Sequence, residues 1–332
     1  MERLPLEIQT VYAELVDQLT ALEAGRAFGS TPGSFVTKTV KGQQYYYFQY
    51  VDASGVKRQI YLGRRDHTLD ALVARFSEQR AALAPQYRSV QRLAVLARTG
   101  GAGATDAPSA RVLTGLADAG FFRSGGVLVG THAFIVLGNL LGVRWESAGM
   151  RTQDVDLAAA RVLEVATADT PMDLPGVIDS LEMGFLPVPG LDAESPSTSF
   201  KVRGQALRVD LLTPARATAH KPVMIRRFAA AAQPLEYLDY LIEHPVRAAT
   251  VSGDPALVFV PEPARYALHK LIVASDRPAA TATKRAKDLT QAGQLLEVLL
   301  ADREADVVLA WETLRERGSL VRSAESESAD NS

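Results

Sequence analysis

The stretch RTQDVDLA, Arg151–Ala158, places two carboxylates, Asp154 and Asp156, one residue apart on an apolar run. On a β-strand alternate side chains share a face, so both acids point one way while Val155 and Leu157 enter a core. Two like charges held side by side repel unless a cation lies between them. A third acid, Asp210, sits in a similar run between Val209 and Leu211. Three carboxylates on neighbouring strands can hold one or two Mg²⁺ ions, with Mn²⁺ as an alternative, because these ions take oxygen ligands. Two such ions about 3.5–4 Å apart clamp the attacking and leaving oxygens of an in-line phosphoryl displacement. Asp154, Asp156 and Asp210 are therefore the candidate metal ligands and catalytic residues. Asp210 can also serve as base towards an attacking hydroxyl.

A phosphate chemistry needs a second half, and Gly130-Thr131 supplies a candidate. The pair follows the apolar run Val127–Val129 and opens an apolar helix, His132–Gly142. A helix start offers unsatisfied N–H groups and a positive end to an anion, and Gly130 lets the backbone come close to it. Further on, Tyr266, Lys270 and Arg277 follow at i, i+4 and i+11, which puts them on one helix face. Two cations and a ring suit a nucleotide, with phosphates on the cations and the base against the ring. Lys284 and Asp288 have the spacing of an ion pair within a helix, leaving Lys287 to face the site. Arg151 and Thr152 stand at the entrance to the acidic strand, where they can steady the loop or touch a nucleotide. His132 and His269 read as local structure and packing. No spacing suggests a nucleophilic triad or a zinc site.

The elements that must position these residues are legible in outline. Leu4, Ile8, Val11, Tyr12, Leu15, Leu19 and Leu22 predict an amphipathic helix over 4–24. A break at Gly25–Gly33 precedes three strand-like runs, Ser34–Lys41, Gln44–Asp52 and Val56–Gly63, the last two joined by an Ala53-Ser54-Gly55 turn. A long helix over Thr68–Arg98 ends in the small-residue linker Thr99–Ala107. Then come a helix ending at Gly120, the strand 127–129, the apolar helix, the acidic strand at 153–159, and a helical or irregular stretch over 160–183. Strands follow at Phe185–Val188, Ser199–Arg203 and Ala206–Leu212, and later at Val246–Val251 and Ala256–Val260. Pro261 and Pro263 open a helix over Arg265–Ser275. An apolar helical region runs through 284–317, and the polar tail after residue 318 reads as disordered.

Bulk properties bound the answer. With 332 residues the chain exceeds what one core usually serves. The hydrophobic share of 47% and charged share of 22% are those of a globular protein. The net charge of -2 rules out a polyanion partner read from the whole chain, so any basic surface is local. The chain has no cysteine, which excludes disulfides, thiolate metal sites and cysteine nucleophiles. The start, MERLPLEIQT, has no apolar signal core, and apolar segments such as Ala133–Val143 fall well short of the ~20 residues of a membrane span. A cytoplasmic protein with no membrane contact is the expectation.

The order of Gly-Thr turn, apolar helix, Asp-x-Asp strand and later Asp strand resembles the DNA polymerase β-like nucleotidyltransferase superfamily. The run Gly130-Thr131-His132-Ala133, followed by Arg151, Thr152, Asp154, Asp156 and Leu157, looks closest to bacterial nucleotidyltransferase-like proteins near AbiEii/MenT-type toxins. The helix with Lys270 and Arg277 and the pair Lys287-Asp288 extend the likeness across about residues 108–315. Two features depart from the pattern: Thr131 stands where the superfamily usually has Ser or Gly, and the gap from Thr131 to Asp154 is long. The resemblance implies an α+β fold: a small mixed sheet with flanking helices (the palm), a helical C-terminal region and a small antiparallel β-meander in front. It implies a palm over 108–232 and a mixed, then helical, domain over 233–318 completing an NTP site. The front domain is 1–100 and the tail 319–332. It also implies a Mg²⁺-dependent transfer of NMP from NTP to a hydroxyl, with Lys270 offsetting charge on departing pyrophosphate, and a genomic partner protein.

The front domain bears on the acceptor. Residues 36–67 hold Lys38, Lys41, Lys57, Arg58, Arg64 and Arg65 against Asp52 and Asp66, a net +4. Tyr45, Tyr46, Tyr47, Phe48, Tyr50 and Tyr61 are interleaved, with Tyr46, Phe48 and Tyr50 on one face and Tyr45 and Tyr47 on the other. Cations with aromatics suit nucleic acid. The expected contacts are Lys38, Lys41, Tyr46, Lys57, Arg58, Arg64 and Arg65, and the expected partner is RNA such as tRNA. The run also resembles the small three-stranded sheet at the front of integrases. Other readings are a silent nucleotide-binding or antitoxin-like module and a small-molecule, antibiotic-type nucleotidyltransferase.

Overall fold

The computed structural model describes residues 1–24, 33–51, 57–146, 153–160, 172–190, 195–215, 221–276 and 281–329. The expected turn at 53–55 lies outside them. Strand β1 (Glu2–Arg3) leads into helix α1 (Leu6–Ala24). The front sheet is β2 (Ser34–Val40), β3 (Gln43–Val51) and β4 (Lys57–Arg64), an antiparallel meander in the order β2-β3-β4. Helix α2 (His67–Thr99) starts at the Asp66 cap, whose carboxylate accepts from the Leu69 N–H.

The body begins with α3 (Ala107–Ala119), capped by Asp106 and closed by Gly120 at φ 91°. Next come β5 (Gly126–Val129), α4 (Gly130–Leu140), β6 (Val143–Arg144), β7 (Asp154–Ala159), α5 (Leu174–Ser180), β8 (Phe185–Pro187), β9 (Ser199–Val202) and β10 (Arg208–Pro214). Then follow β11 (Val223–Ile225), a single 3-10 turn, β12 (Ala230–Leu235), α6 (Leu238–Ile242), β13 (Val246–Ala249) and β14 (Leu257–Val260). Helices α7 (Pro263–Asp276), α8 (Ala282–Asp302) and α9 (Glu304–Ala329) close the chain. This is the α+β arrangement the sequence implies. The central sheet runs β11-β12-β10-β7-β5, with β9 on β10 and β8 on β9.

The structure differs from the sequence reading in several elements. β11 and β12 were not expected, because AAAQPL has little β-propensity. Ala230, Ala231 and Ala232 are nonetheless buried, and β12 lies parallel beside β10; packing overrides propensity here. The helical region through 284–317 is two helices, parted at Arg303. The tail read as disordered continues α9 to Ala329. After Gly318 it has no Gly or Pro to stop a helix, and Ala and Glu favour one.

One apolar core joins α3, α4, β5, β7, β10 and helices α6, α7 and α8. Trp145 anchors α4 within it. Its ring stacks on Phe134 at 4.7 Å and its indole N–H donates to the Phe134 carbonyl at 2.6 Å. Gly138 makes room, since a Cβ there would meet the indole nitrogen at 2.5 Å. A second core joins α1, the end of α2 (Val90, Ala94, Ala97) and residues Ala249, Val251 and Leu257. The Tyr12 hydroxyl donates to the Ala249 carbonyl at 2.9 Å and accepts from its N–H at 3.0 Å. Helix α1 is thereby tied to the body across the boundary expected near residue 100. Tyr12→Phe removes a buried hydroxyl with two partners, and is expected to lower stability by about 1–3 kcal/mol in urea unfolding.

Candidate active site

The central sheet sets the acids in register. β7 and β10 are parallel, with Asp154 opposite Arg208 and Asp156 opposite Asp210. On the other side of β7, Val129 of β5 stands opposite Asp156. The alternate residues Val155, Leu157, Val209 and Leu211 are buried in the main core, so the acids keep the opposite face. The strand that carries Asp156 is therefore flanked by the third carboxylate on one side and by the start of α4 on the other.

Gly130 is required at that start. Its φ is +65°, and a Cβ there would lie 1.9 Å from Asp156 Oδ2. The carboxylate thus rests against the bare Cα. The cap position is Val129, whose side chain makes no capping hydrogen bond, so no cap side chain takes the N–H groups at the helix start. Thr131 is buried beside Gly130. Tyr266 has a different job from the one its spacing suggested. It is 1% exposed, and its hydroxyl donates to the Gly130 carbonyl at 2.7 Å. A ring packed in the core cannot receive a base; it buttresses the turn from behind.

Charge at the site is unbalanced. Burial, helped by the Asp210 and Asp154 carboxylates, pushes Asp156 up to about 7, against the pull of Lys270 and Lys287. The Lys270 ammonium donates to Asp288 Oδ1 at 2.7 Å and lies 5.4 Å from the Tyr266 ring centroid. Asp288 is thus the partner of Lys270 on α7, and the expected pair with Lys284 is corrected. Position 288 turns inward and is buried, while Lys284 is exposed. Lys287 is half-buried, and burial, together with the nearby Lys270, lowers its pKa against the attraction of Asp156, Asp288 and Asp154. His132 and His269 are held neutral, each pushed down to about 4 by burial. They sit beside the site as packed imidazoles, in keeping with their reading as structure.

Asp210 is held by two residues the sequence reading passed over. Arg208 Nε donates to Asp210 Oδ1 at 2.7 Å, Arg208 also donates to Ser199 Oγ at 2.8 Å, and the Ser199 hydroxyl donates to Asp210. The signal for Arg208 was present: in Arg-Val-Asp the first and third residues share a strand face. Ser199 had none, since it reaches Asp210 through the antiparallel register of β9 on β10. Among the described residues no group of three acidic or imidazole side chains is drawn together as a ready-made metal cage. The donors still fit a hard divalent cation. They are all carboxylate oxygens, and the raised Asp156 marks a place where added positive charge is favourable.

Arg151, Thr152 and Arg277 lie outside the described residues. In the front sheet Lys38, Lys41, Lys57, Arg58, Arg64 and Arg65 are exposed. Tyr46 is not, and its place among the expected nucleic-acid contacts is corrected. It is 7% exposed and its hydroxyl donates to Asp70 of α2 at 2.7 Å. Arg65 is tied to the same Asp70 at 2.8 Å and to Gln44 at 2.8 Å.

A protein-family model described as a nucleotidyltransferase matches residues 107–316. No curated protein and no solved structure matches the chain.

Two outcomes follow from the site. Because the Asp156 pKa is raised by folding, its contribution to stability is complete below the unfolded value near 4 and is lost as pH rises to about 7. Asp156→Asn is therefore expected to raise the melting temperature of the metal-free protein at pH 8, with the gain shrinking towards pH 5. Gly130→Ala forces a Cβ into the Asp156 carboxylate at a positive φ, and is expected to lower the melting temperature at both pH values.

Proposed function

The chain belongs to this nucleotidyltransferase family and is an enzyme of nucleotidyl transfer; on that premise we propose that it moves an NMP from an NTP to a hydroxyl of RNA, with Mg²⁺, and releases pyrophosphate. The observation that carries the reading is the position of Asp156, opposite Asp210 on a parallel strand and in contact with Gly130 at a helix start. The triphosphate lies at the uncapped N–H groups of Gly130 and Thr131, where the helix end favours an anion. Lys287 and Lys270 offset its charge from the α7–α8 side. Asp154, Asp156 and Asp210 hold the divalent cation, which when bound neutralises phosphate charge and eases loss of the acceptor proton. Asp210 Oδ1 is engaged by Arg208 and Ser199, so Oδ2 is the atom that takes that proton. The acceptor oxygen bonds to the α-phosphorus, and the bond from that phosphorus to the β-phosphate oxygen breaks. Tyr266 holds the Gly130 carbonyl in place throughout.

RNA as acceptor is supported by the front sheet, whose strands carry Lys38, Lys57, Arg58 and Arg64 and no acid within β2, β3 and β4. The Gly130-Thr131-His132-Ala133 turn with its Asp-x-Asp strand supports a place near the AbiEii/MenT-type branch, and with it a partner protein of the antitoxin kind. The test is incubation with each α-³²P-labelled NTP, total cellular RNA and Mg²⁺. Label is expected in RNA, to vanish with a chelator, and to fall by at least about 100-fold in Asp154→Ala or Asp156→Ala. Transfer by those variants at the parent's rate overturns the reading.

A further inference from the structure

The outer face of the front sheet carries an aromatic cluster that the fold does not use. Inward, Phe35, Phe48 and Phe76 of α2 pack edge to face, with centroids 5.0–5.9 Å apart. Outward, Tyr47 meets Tyr61 at 5.5 Å and Tyr45 meets Tyr61 at 6.1 Å. Tyr61 is 57% exposed, so the cluster opens to solvent rather than into a core. The Lys38 ammonium lies 4.7 Å from the Tyr47 ring centroid. Arg64 pairs with Tyr45, and Lys57 lies on the same edge strand. A face that needed only solubility would mix charges of both signs; this face holds Lys38, Lys57 and Arg64, and the three strands hold no carboxylate.

We propose that Tyr45, Tyr47 and Tyr61, with Lys38, Lys57 and Arg64, form a platform that binds unpaired RNA and so selects the acceptor. The proposal rests on the transfer reading above and adds to it the recognised feature, single-stranded bases. Tyrosine rings accept the π-face of any base, and the surrounding cations take the phosphates. A duplex keeps its base faces stacked inside and offers this platform only phosphates. The surface differs from the one that the sequence pattern suggested, because Tyr46 is on the buried side and Arg65 is engaged with Asp70.

The test measures binding of the full chain, without NTP or Mg²⁺, to a fluorescein-labelled single-stranded RNA of about 12 nucleotides and to its duplex, by anisotropy. Single-stranded RNA is expected to bind more tightly. Tyr47→Ala and Tyr61→Ala should each weaken it about 5-fold or more, while Tyr61→Phe and the distant exposed Trp311→Ala should bind like the parent. Lys38→Ala and Lys57→Ala should each reduce the salt slope by about 0.7. Unchanged affinity in both tyrosine-to-alanine variants, equal affinity for duplex, or no binding by the parent overturns the platform. The two readings fail separately. If the parent moves label to RNA but the tyrosine variants bind unchanged, the platform falls and the transfer reading stands. If RNA binds through the tyrosines but no label moves, the transfer reading falls.

Discussion

Two carboxylates stand opposite each other on parallel strands, and the sheet gives them no way apart. The β7–β10 ladder fixes Asp156 beside Asp210, and the buried residues between the acids stop either strand from slipping, because a one-residue shift would turn Val155 and Leu157 to solvent. Repulsion held by a rigid frame is the condition on which the site depends. Burial raises Asp156 to about 7 and the repulsion adds to it; the repulsion makes the neighbourhood of Lys270 and Lys287 favourable, and it accounts for Arg208 lying against Asp210. A carboxylate pair on a loop would simply separate.

The supports around the pair act one step removed. Tyr266 comes from α7 and reaches Gly130 from the core side. Lys270 is anchored by Asp288, a pair whose side chains are 16% and 5% exposed. A partly desolvated ion pair of this kind is weak evidence for net stability but strong evidence for a fixed position. Its effect is to place one ammonium near the carboxylates without letting it collapse onto them.

Much of this was legible in the sequence, and the gaps have physical causes. Alternation around Asp154, Asp156 and Asp210 identified two strands and their acidic face, and the Gly130-Thr131 turn identified the helix start. Periodicity also grouped Tyr266 with Lys270, yet it cannot tell which part of a helix face is covered by a neighbour, so Tyr266 was read as a base platform. Helical spacing pairs Asp288 with Lys284 on its own helix, whereas its partner, Lys270, comes from another helix. Ser199 and β12 are hidden for a related reason: both are defined by which residues they stand beside on β10, and residue type does not reveal that register. In the front sheet alternation separated the two faces correctly, and only the packing of α2 shows which one is covered.

Helix α2 has 33 residues, which at 1.5 Å per residue is about 50 Å long. Its first turns carry Phe76 against the front sheet, and its last turns carry Val90, Ala94 and Ala97 into the body. Pro85, with no N–H to give the helix, lies between the two. The helix is thus a ruler with both ends fixed. Its length sets how far the tyrosine face stands from the carboxylates, and its pitch sets the direction in which that face looks. Each residue gained or lost between Phe76 and Val90 turns one end about 100° relative to the other, so the count of residues in this segment is itself under geometric constraint, whatever their identity.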